Sequence, residues 1–239
     1  MTLQRAERDA CIVNATMIRT TLLLLCLASC GSAAGFKPAP LPPLVAAKAP
    51  EKPIAPHELL LVPGEHMIYE VHLHGITVGR VELTVGDTEV TSHFQTDSLA
   101  AALATVHHDL STVIDRGNAR AVIGSEQLVI GSETKHFDLD GKNGQTLHTA
   151  IGLMRAWVAT DAAPGFVTVQ ELGHVYRVAF KRPLVEEVDG TKLFRVDAAI
   201  NTKTPTTIQI WFATTPDHKP MKFEIANEDF HVVANLIPT

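Results

Sequence analysis

Alternation of apolar and polar residues is the feature that most constrains the fold of this chain. It begins after residue 57 and is clearest in residues 66–74, where every second side chain is large and apolar. The apolar phase consists of Met67, Tyr69, Val71 and Leu73, and the opposite phase consists of His66, Ile68, Glu70, His72 and His74. Successive side chains of a strand point to opposite faces, so a period of two indicates a strand with one buried and one wet face.

Turn-forming residues separate further runs of this kind. Gly86-Asp87 and Asp189-Gly190 each stand between two alternating segments, and such pairs favour two-residue hairpin turns. Other strand-like runs cover residues 110–115, 120–123, 135–139, 166–172, 175–180, 206–213, 221–226 and 230–237. The pattern therefore predicts about a dozen short strands, most of them joined as hairpins.

One segment has the spacing of a helix instead. Its apolar residues repeat every three or four positions between Thr146, which can cap a helix N-terminus, and the Pro164-Gly165 pair, which stops one. These apolar residues are Leu147, Ala150, Ile151, Met154 and Val158. Residues 98–104 indicate a second, shorter helical turn.

Hairpins in series with a single helix favour a mainly β fold. We expect residues 57–239 to form one domain, a curled antiparallel sheet or partial β-barrel, with the helix covering an open face or mouth. A parallel sheet is disfavoured because the helices that parallel crossovers require are missing.

Several motifs in this order resemble a known bacterial family. They are "GEHMIYEVHLHGITVGRVELTV", "FDLDG", "IGLMRAWV", "VEEVDGTKLFRV", "IQIWFATTPDHKPMKFEI" and "FHVVANLI". Over about residues 62–239 the chain is similar to the secreted proteins and lipoproteins catalogued as domain of unknown function 3108. Tyr69, Gly75, Gly79, Arg155 and the segment 211–220 carry the resemblance. It implies a curled antiparallel sheet like that of other outer-membrane-associated lipoproteins, and it brings no catalytic residue.

A short apolar stretch near the N-terminus, "LLLLCLASCGSAAG", predicts export and lipidation. Its apolar core is too short to cross a bilayer, which requires about 20 apolar residues, but it fits a secretory signal peptide behind Arg19. Within it, "LASC", ending at Cys30, matches the lipobox of bacterial lipoproteins. Cys30 is the predicted lipidation site.

The residues around this signal predict three further segments. Glu7 and Asp9 fit poorly in a basic leader, so residues 1–16 are interpreted as a misannotated extension and 17–29 as the signal peptide. Residues 30–56 combine Cys30 with a proline- and alanine-rich tether that spans up to roughly 80 Å if extended. We expect the protein in the bacterial cell envelope, at the outer membrane and facing the periplasm, since Gly31 is not the aspartate associated with inner-membrane retention.

Charge and motifs narrow the function classes. The formal net charge of −6 gives no basic surface for nucleic acid. No nucleophile elbow, dinucleotide glycine pattern or phosphate loop occurs in the sequence, so we expect no enzymatic activity and no cofactor. His72 and His74 are weak metal-ligand candidates, because side chains two residues apart on a strand share a face. His66 and Glu70 lie on the predicted face with them.

The two tryptophans are weak ligand-binding candidates. Trp157 and Trp211 are the only tryptophans of the chain, and either can line a cavity between a curled sheet and its helix. Core packing is the competing interpretation for Trp157, which adjoins the apolar stripe of the helix.

The sequence thus favours a non-enzymatic lipoprotein whose β domain binds a lipid, glycan or protein component in envelope assembly. Two alternatives stay open. The first is a ligand-free structural scaffold with the same anchor. The second is a metal-dependent hydrolase that uses the face of His66, Glu70, His72 and His74.

Overall fold

A computed structural model describes residues 52–54, 58–160, 163–200 and 204–238. The strands are β1 His66–Leu73, β2 Ile76–Val85, β3 Glu89–Thr96, β4 Val106–Asp115, β5 Arg120–Ile130, β6 Glu133–Leu139, β7 Gly165–Glu171, β8 His174–Phe180, β9 Leu184–Val188, β10 Thr191–Ile200, β11 Thr206–Ala213, β12 Pro220–Ala226 and β13 His231–Leu236. The helices are α1 Ser98–Ala101 and α2 Leu147–Val158.

The strands form one antiparallel sheet that curls into a nearly closed barrel. Its order is β6-β5-β4-β3-β2-β1-β13-β12-β11-β10-β8-β7, and β9 pairs with β10 beside this path. The first and last strands, β1 and β13, pair in the middle of the order, so both halves of the chain grow outward from this pair. The predicted fold class, a curled mainly β sheet with one covering helix, is confirmed.

The turns follow local chemistry, with one exception. Asp189 and Gly190 have φ values of 49° and 77° and join β9 to β10 as predicted, the geometry of a type I′ turn. The two-residue turn predicted at Gly86-Asp87 lies one position later: Val85 pairs with Val90 and the Gly86 N–H donates to the Glu89 carbonyl at 2.7 Å, which leaves Asp87 and Thr88 in the turn. This turn is also held from outside: the Arg116 side chain donates hydrogen bonds to the carbonyls of Gly86 and Asp87 at 3.0 and 2.9 Å.

A glycine in β2 allows β2 and β3 to approach each other closely. A Cβ atom on Gly79 would lie 2.2 Å from the carbonyl oxygen of Gln95 on β3, which no side chain tolerates. On its other side, the register of the β1–β2 pair shifts between Val71 and His72. The bulge and the glycine together bend the sheet at this point.

The seam between β6 and β7 is closed by single residues rather than by a ladder. The backbone of Gln145 donates to the Thr168 carbonyl and accepts from the Gln170 N–H, at 2.8 and 2.7 Å. The Gln145 side chain accepts a hydrogen bond from the Ala121 N–H of β5 at 3.2 Å. One residue therefore connects the two edges of the barrel.

Residues 52–54 lie against the outer edge of β7. Pro53 forms a bridge with Phe166, and the Ile54 N–H donates to the Phe166 carbonyl at 2.9 Å. The C-terminal end of the predicted tether thus contacts the barrel. Cys30, the signal peptide and the rest of the N-terminal segments fall outside the described residues.

Helix α2 covers the interior of the barrel. Thr146 caps its N-terminus by accepting a hydrogen bond from the Thr149 N–H, which confirms the predicted start. Gly152 is needed where α2 meets the chain before β1, because a Cβ there would lie 2.7 Å from the Leu61 side chain. Neither α2 nor α1, the helices of the described residues, has the length and apolarity to cross a bilayer.

Candidate functional site

The interior of the barrel contains a mainly apolar cavity of about 170 Å³, which we call the lumen. Inward-facing side chains of the strands form its wall, and α2 forms its cover through Leu147, Ala150, Ile151 and Met154. Representative wall residues are Leu83, Val169, Val178, Ile208, Ile210 and Phe223. An enclosed apolar space of this kind suits an apolar ligand.

At the C-terminal end of α2, a buried ion pair lines the lumen. Arg155 is 0% exposed, and its two terminal nitrogens each donate to one oxygen of the Glu65 carboxylate at 2.7 Å. Its Nε and Nη2 also donate to the Asp217 carbonyl, at 2.9 and 2.6 Å. This bidentate arrangement ties α2 to the segment before β1 and to the β11–β12 loop.

Tyr69 reinforces the same end. Its hydroxyl donates to the Pro220 carbonyl at 2.9 Å, and burial raises the pKa of Tyr69 well above its usual value. Tyr69, Arg155 and the loop of residues 211–220 are residues that carry the family resemblance in the sequence. In the structure they form one cluster that fixes the cover to the wall.

At the N-terminal end of α2, an uncharged histidine lines the lumen. The His148 Nδ1 lies 3.0 Å from the Thr112 hydroxyl, and its Nε2 lies 2.9 Å from the Ser92 hydroxyl. Because the Thr112 hydroxyl donates onward to Thr146, the geometry fits a neutral ring that donates through Nδ1 and accepts through Nε2. Burial, helped by nearby His108, lowers the pKa of His148 to about 3.

Behind this histidine lies a second buried pair. The His108 Nε2 is 2.7 Å from one oxygen of Glu126, and the other oxygen accepts a hydrogen bond from the Leu172 N–H at 2.5 Å. His108 and Glu126 are each 2% exposed. Glu126 lies on β5 and Leu172 in the turn after β7, so this carboxylate also bridges the seam of the barrel.

Glu171, the last residue of β7, is the only carboxyl side chain on the described lumen wall. No hydrogen bond or ion pair of its carboxyl group is found within the described residues. Burial, and secondly the charge of Glu126, raise the pKa of Glu171 from 4.5 to about 8. At neutral pH the group is therefore mainly protonated and able to donate a hydrogen bond.

Neither tryptophan belongs to the lumen wall. Trp157 is buried beside it, with its ring centroid 5.9 Å from that of the wall residue Phe180. Trp211 alternates with the inward-facing Ile210 and therefore lies on the outside of the sheet. The Trp211 indole N–H donates to Glu186 at 3.0 Å, and β9, which contains Glu186, covers the Trp211 ring.

The histidines of β1 are not arranged as a ligand set. The His72 Nε2 contacts Glu70 at 3.0 Å, and its Nδ1 lies 3.2 Å from the Thr77 hydroxyl. His74 lies past the end of the strand with a φ of 50°, and the register shift at His72 breaks the strict alternation. Within the described ranges, no group of three or more His, Cys, Asp or Glu side chains is placed to hold a metal ion.

A larger and more polar groove of about 490 Å³ lies on the outer surface of β2 to β6. Its outward-facing side chains include Glu82, His93, Asp109, His136 and Asp138, and its described lining contains no lysine or arginine. His93 is already hydrogen-bonded to Asp109. The groove is polar and lies on the outer surface, whereas the lumen is mainly apolar and lies inside the barrel, so the lumen is the better candidate for an apolar ligand.

The buried polar residues behind the lumen wall, His108 and Glu126, were not singled out as site residues by the sequence. The alternation of apolar and polar residues could have found them. His108 lies on the same strand face as the buried Val106 and Leu110, and Glu126 lies on the same strand face as the buried Leu128. A charged residue at an inward position marks either a buried pair or a functional group.

The comparisons with known proteins support the fold. No protein-family model matches the chain, and no curated protein matches it. The chain is similar to the crystal structure of a β-barrel-like protein of domain of unknown function DUF1849 from Brucella abortus, with a TM-score of 0.50 and 12% sequence identity. The match covers 75% of this chain and 97% of that one, and it shows a shared β-barrel-like fold.

Proposed function

We propose that this protein is a cell-envelope lipoprotein whose barrel binds an apolar ligand, most simply a lipid chain, beneath α2. The observation that carries the proposal is the enclosed apolar lumen. Of the three ligand classes expected from the sequence, lipid fits such a space best, because glycans and protein surfaces need polar or extended contacts.

The size of the lumen implies a moving cover. A volume of about 170 Å³ is below the range of roughly 300–1,000 Å³ that is usual for small-molecule pockets. Except at the β6–β7 seam, the wall strands are joined by backbone ladders, whereas α2 is held mainly by side chains such as Arg155 and His148 and by one Leu60–Gly152 backbone bond. Outward movement of the N-terminal end of α2, away from the Arg155–Glu65 pair, therefore enlarges the space without breaking a strand ladder.

Membrane anchoring belongs to the same proposal. The lipobox ending at Cys30 and the proline-rich residues 31–56 support a lipid-anchored domain at the outer membrane, facing the periplasm. Membership in the family of domain of unknown function 3108 stays part of this proposal, supported by the motifs at Tyr69, Arg155 and residues 211–220. If it is right, Cys30→Ala releases the protein from the membrane fraction, and retention of the variant there contradicts the lipidation site.

Native mass spectrometry tests ligand binding. The full chain carrying Cys30→Ala, exported to a periplasm, is expected to show an adduct of lipid mass. Ala150→Leu adds apolar volume on the lumen side of α2 and should reduce the adduct, whereas the same change at the exposed Ala163 should not. A bare protein in every case, or an adduct of glycan mass or a metal ion, contradicts the lipid proposal.

A further inference from the structure

We propose that the lumen is specific for apolar molecules with an uncharged, hydrogen-bond-accepting head, such as an esterified acyl chain. It rejects the free fatty acid of the same length. The inference rests on the proposed function and names the chemical class of the ligand. The geometry behind it is the supply of polar groups on the lumen wall.

First, the described wall offers no free positive charge. Arg155 is its only arginine or lysine, and Glu65 together with the Asp217 carbonyl already occupies its Nε and both terminal nitrogens. An anionic head would have to displace the Glu65 carboxylate, which is itself held at two points. Replacing the Glu65 carboxylate by that of a ligand gains no net interaction for Arg155, and it breaks the contact that holds α2 to the segment before β1.

Second, the histidine on the wall does not supply a charge. Both nitrogens of His148 are engaged by the hydroxyls of Thr112 and Ser92, and the low pKa of His148, about 3, keeps the ring neutral. A carboxylate entering this end would therefore be buried without a counter-ion, which is strongly unfavourable.

Third, Glu171 supplies a hydrogen-bond donor. It lies on the wall without a partner of its own among the described residues, and its raised pKa keeps it protonated near neutral pH. The titratable groups around it are Glu126 on β5, His108 on β4, His148 on α2, and His174 and Tyr176 on β8. The charge of Glu126 raises the pKa of Glu171 and so disfavours a second anion at this carboxyl group.

A carbonyl oxygen satisfies this donor. The carbonyl oxygen of an ester head accepts a hydrogen bond from the Glu171 carboxyl group while its chain lies along the apolar wall. A protonated amine would instead require ionised Glu171, and an ion pair in this space carries the desolvation cost of two charges. We therefore expect the lumen to bind the ester more tightly than the acid or the amine.

The test compares three ligands that share one acyl or alkyl chain. Methyl laurate, lauric acid and dodecylamine are titrated into the full chain near neutral pH, and binding is followed by calorimetry. We expect the ester to bind at least about tenfold more tightly than the acid, since the acid brings an unpaired buried charge. Glu171→Gln keeps a neutral donor and should leave ester affinity within about twofold.

The pH profile tests the role of Glu171 itself. Above about pH 8, where the wild-type carboxyl group ionises, ester affinity should fall. In Glu171→Gln it should stay constant. Glu187→Gln, a matched change at an exposed position of β9, should behave as the wild type.

The outcomes separate this inference from the function it rests on. Equal or tighter binding of the acid overturns the head-group preference, and so does an amine that binds tightest and is lost in Glu171→Gln. An ester profile that does not change with pH, or that changes equally in Glu171→Gln, removes Glu171 from the site. If none of the three ligands binds, the proposed lipid-binding function itself fails.

Discussion

The two ends of α2 handle buried polar groups in opposite ways. At the C-terminal end, Arg155 keeps its charge because Glu65 and a backbone carbonyl surround it. At the N-terminal end, His148 and Glu171 face the lumen with shifted pKa values that favour their uncharged forms. The first arrangement locks a helix to a wall, and the second leaves a polar group available to a ligand.

This difference separates structural from functional residues. A buried charge needs a complete set of partners, so its cluster has no capacity for a ligand. A protonated carboxyl group in an apolar space keeps one hydrogen bond to offer.

The largest effect is expected at the ion pair. Arg155→Met leaves the Glu65 carboxylate buried without its partner and should lower the free energy of unfolding by about 3–5 kcal/mol, measured by urea denaturation. Adding Glu65→Leu removes the orphaned charge and should recover part of the loss. Equal stability of the single and double variants would show that Glu65 is not held by Arg155.

A smaller loss is expected at the seam. Glu126→Ala removes the acceptor of both His108 and the Leu172 N–H and should cost about 2–3 kcal/mol. Glu126→Gln keeps one acceptor oxygen and should cost roughly half of that value. Hydrogen exchange of the Leu172 amide is the local measurement, and unchanged protection in the alanine variant would contradict the bridge.

The neutral state of buried His148 is expected to contribute to the loss of stability at acidic pH. The unfolded chain takes up a proton near its usual pKa of 6.5, whereas the folded chain resists until about pH 3, so stability falls as the pH drops through this window. The slope is at most about 1.4 kcal/mol per pH unit for one group. In His148→Gln this portion of the slope should disappear, and an unchanged acid slope would show that His148 is not buried in the neutral form.

The smallest effect has the opposite sign and belongs to Glu171. Its pKa is raised from 4.5 to about 8 on folding, so its contribution is complete below pH 4.5 and is lost as the pH rises toward 8. Glu171→Gln should therefore be more stable than the wild type at the alkaline end, by on the order of 1 kcal/mol after allowance for solvent screening. If the stability of the wild type and of Glu171→Gln depended on pH in the same way, the raised pKa of Glu171 would be contradicted.

Local patterns in the sequence predict much of the fold but little of the site. The Asp189-Gly190 turn and helix α2 follow from a few neighbouring residues, and both are confirmed. The turn predicted at Gly86-Asp87 lies one residue later, where Arg116, which lies 29 residues further along the chain than Asp87, donates to the Asp87 carbonyl. Contacts that distant leave no local pattern.

The same limit applies to the lumen. Arg155 and Glu65 are 90 residues apart, and Glu126 and Leu172 are 46 apart, so neither pairing can be derived without the strand order. Trp211 shows that the side of the sheet on which a residue lies depends on its place in the alternation. Ile210 faces the lumen, and its neighbour Trp211 faces the outside of the barrel. Sequence can mark an inward-facing Glu126 or His108 as unusual, but the partner determines its role.

Tryptophan quenching by a brominated acyl ester reports directly whether an apolar chain occupies the lumen. Trp157 contacts the wall residue Phe180, whereas Trp211 lies outside the barrel under β9, and the chain has no other tryptophan. We expect saturable quenching in Trp211→Phe, where Trp157 is the remaining tryptophan, and no quenching in Trp157→Phe. Quenching of Trp211 alone, equal quenching of both residues, or none of either would contradict a ligand in the lumen.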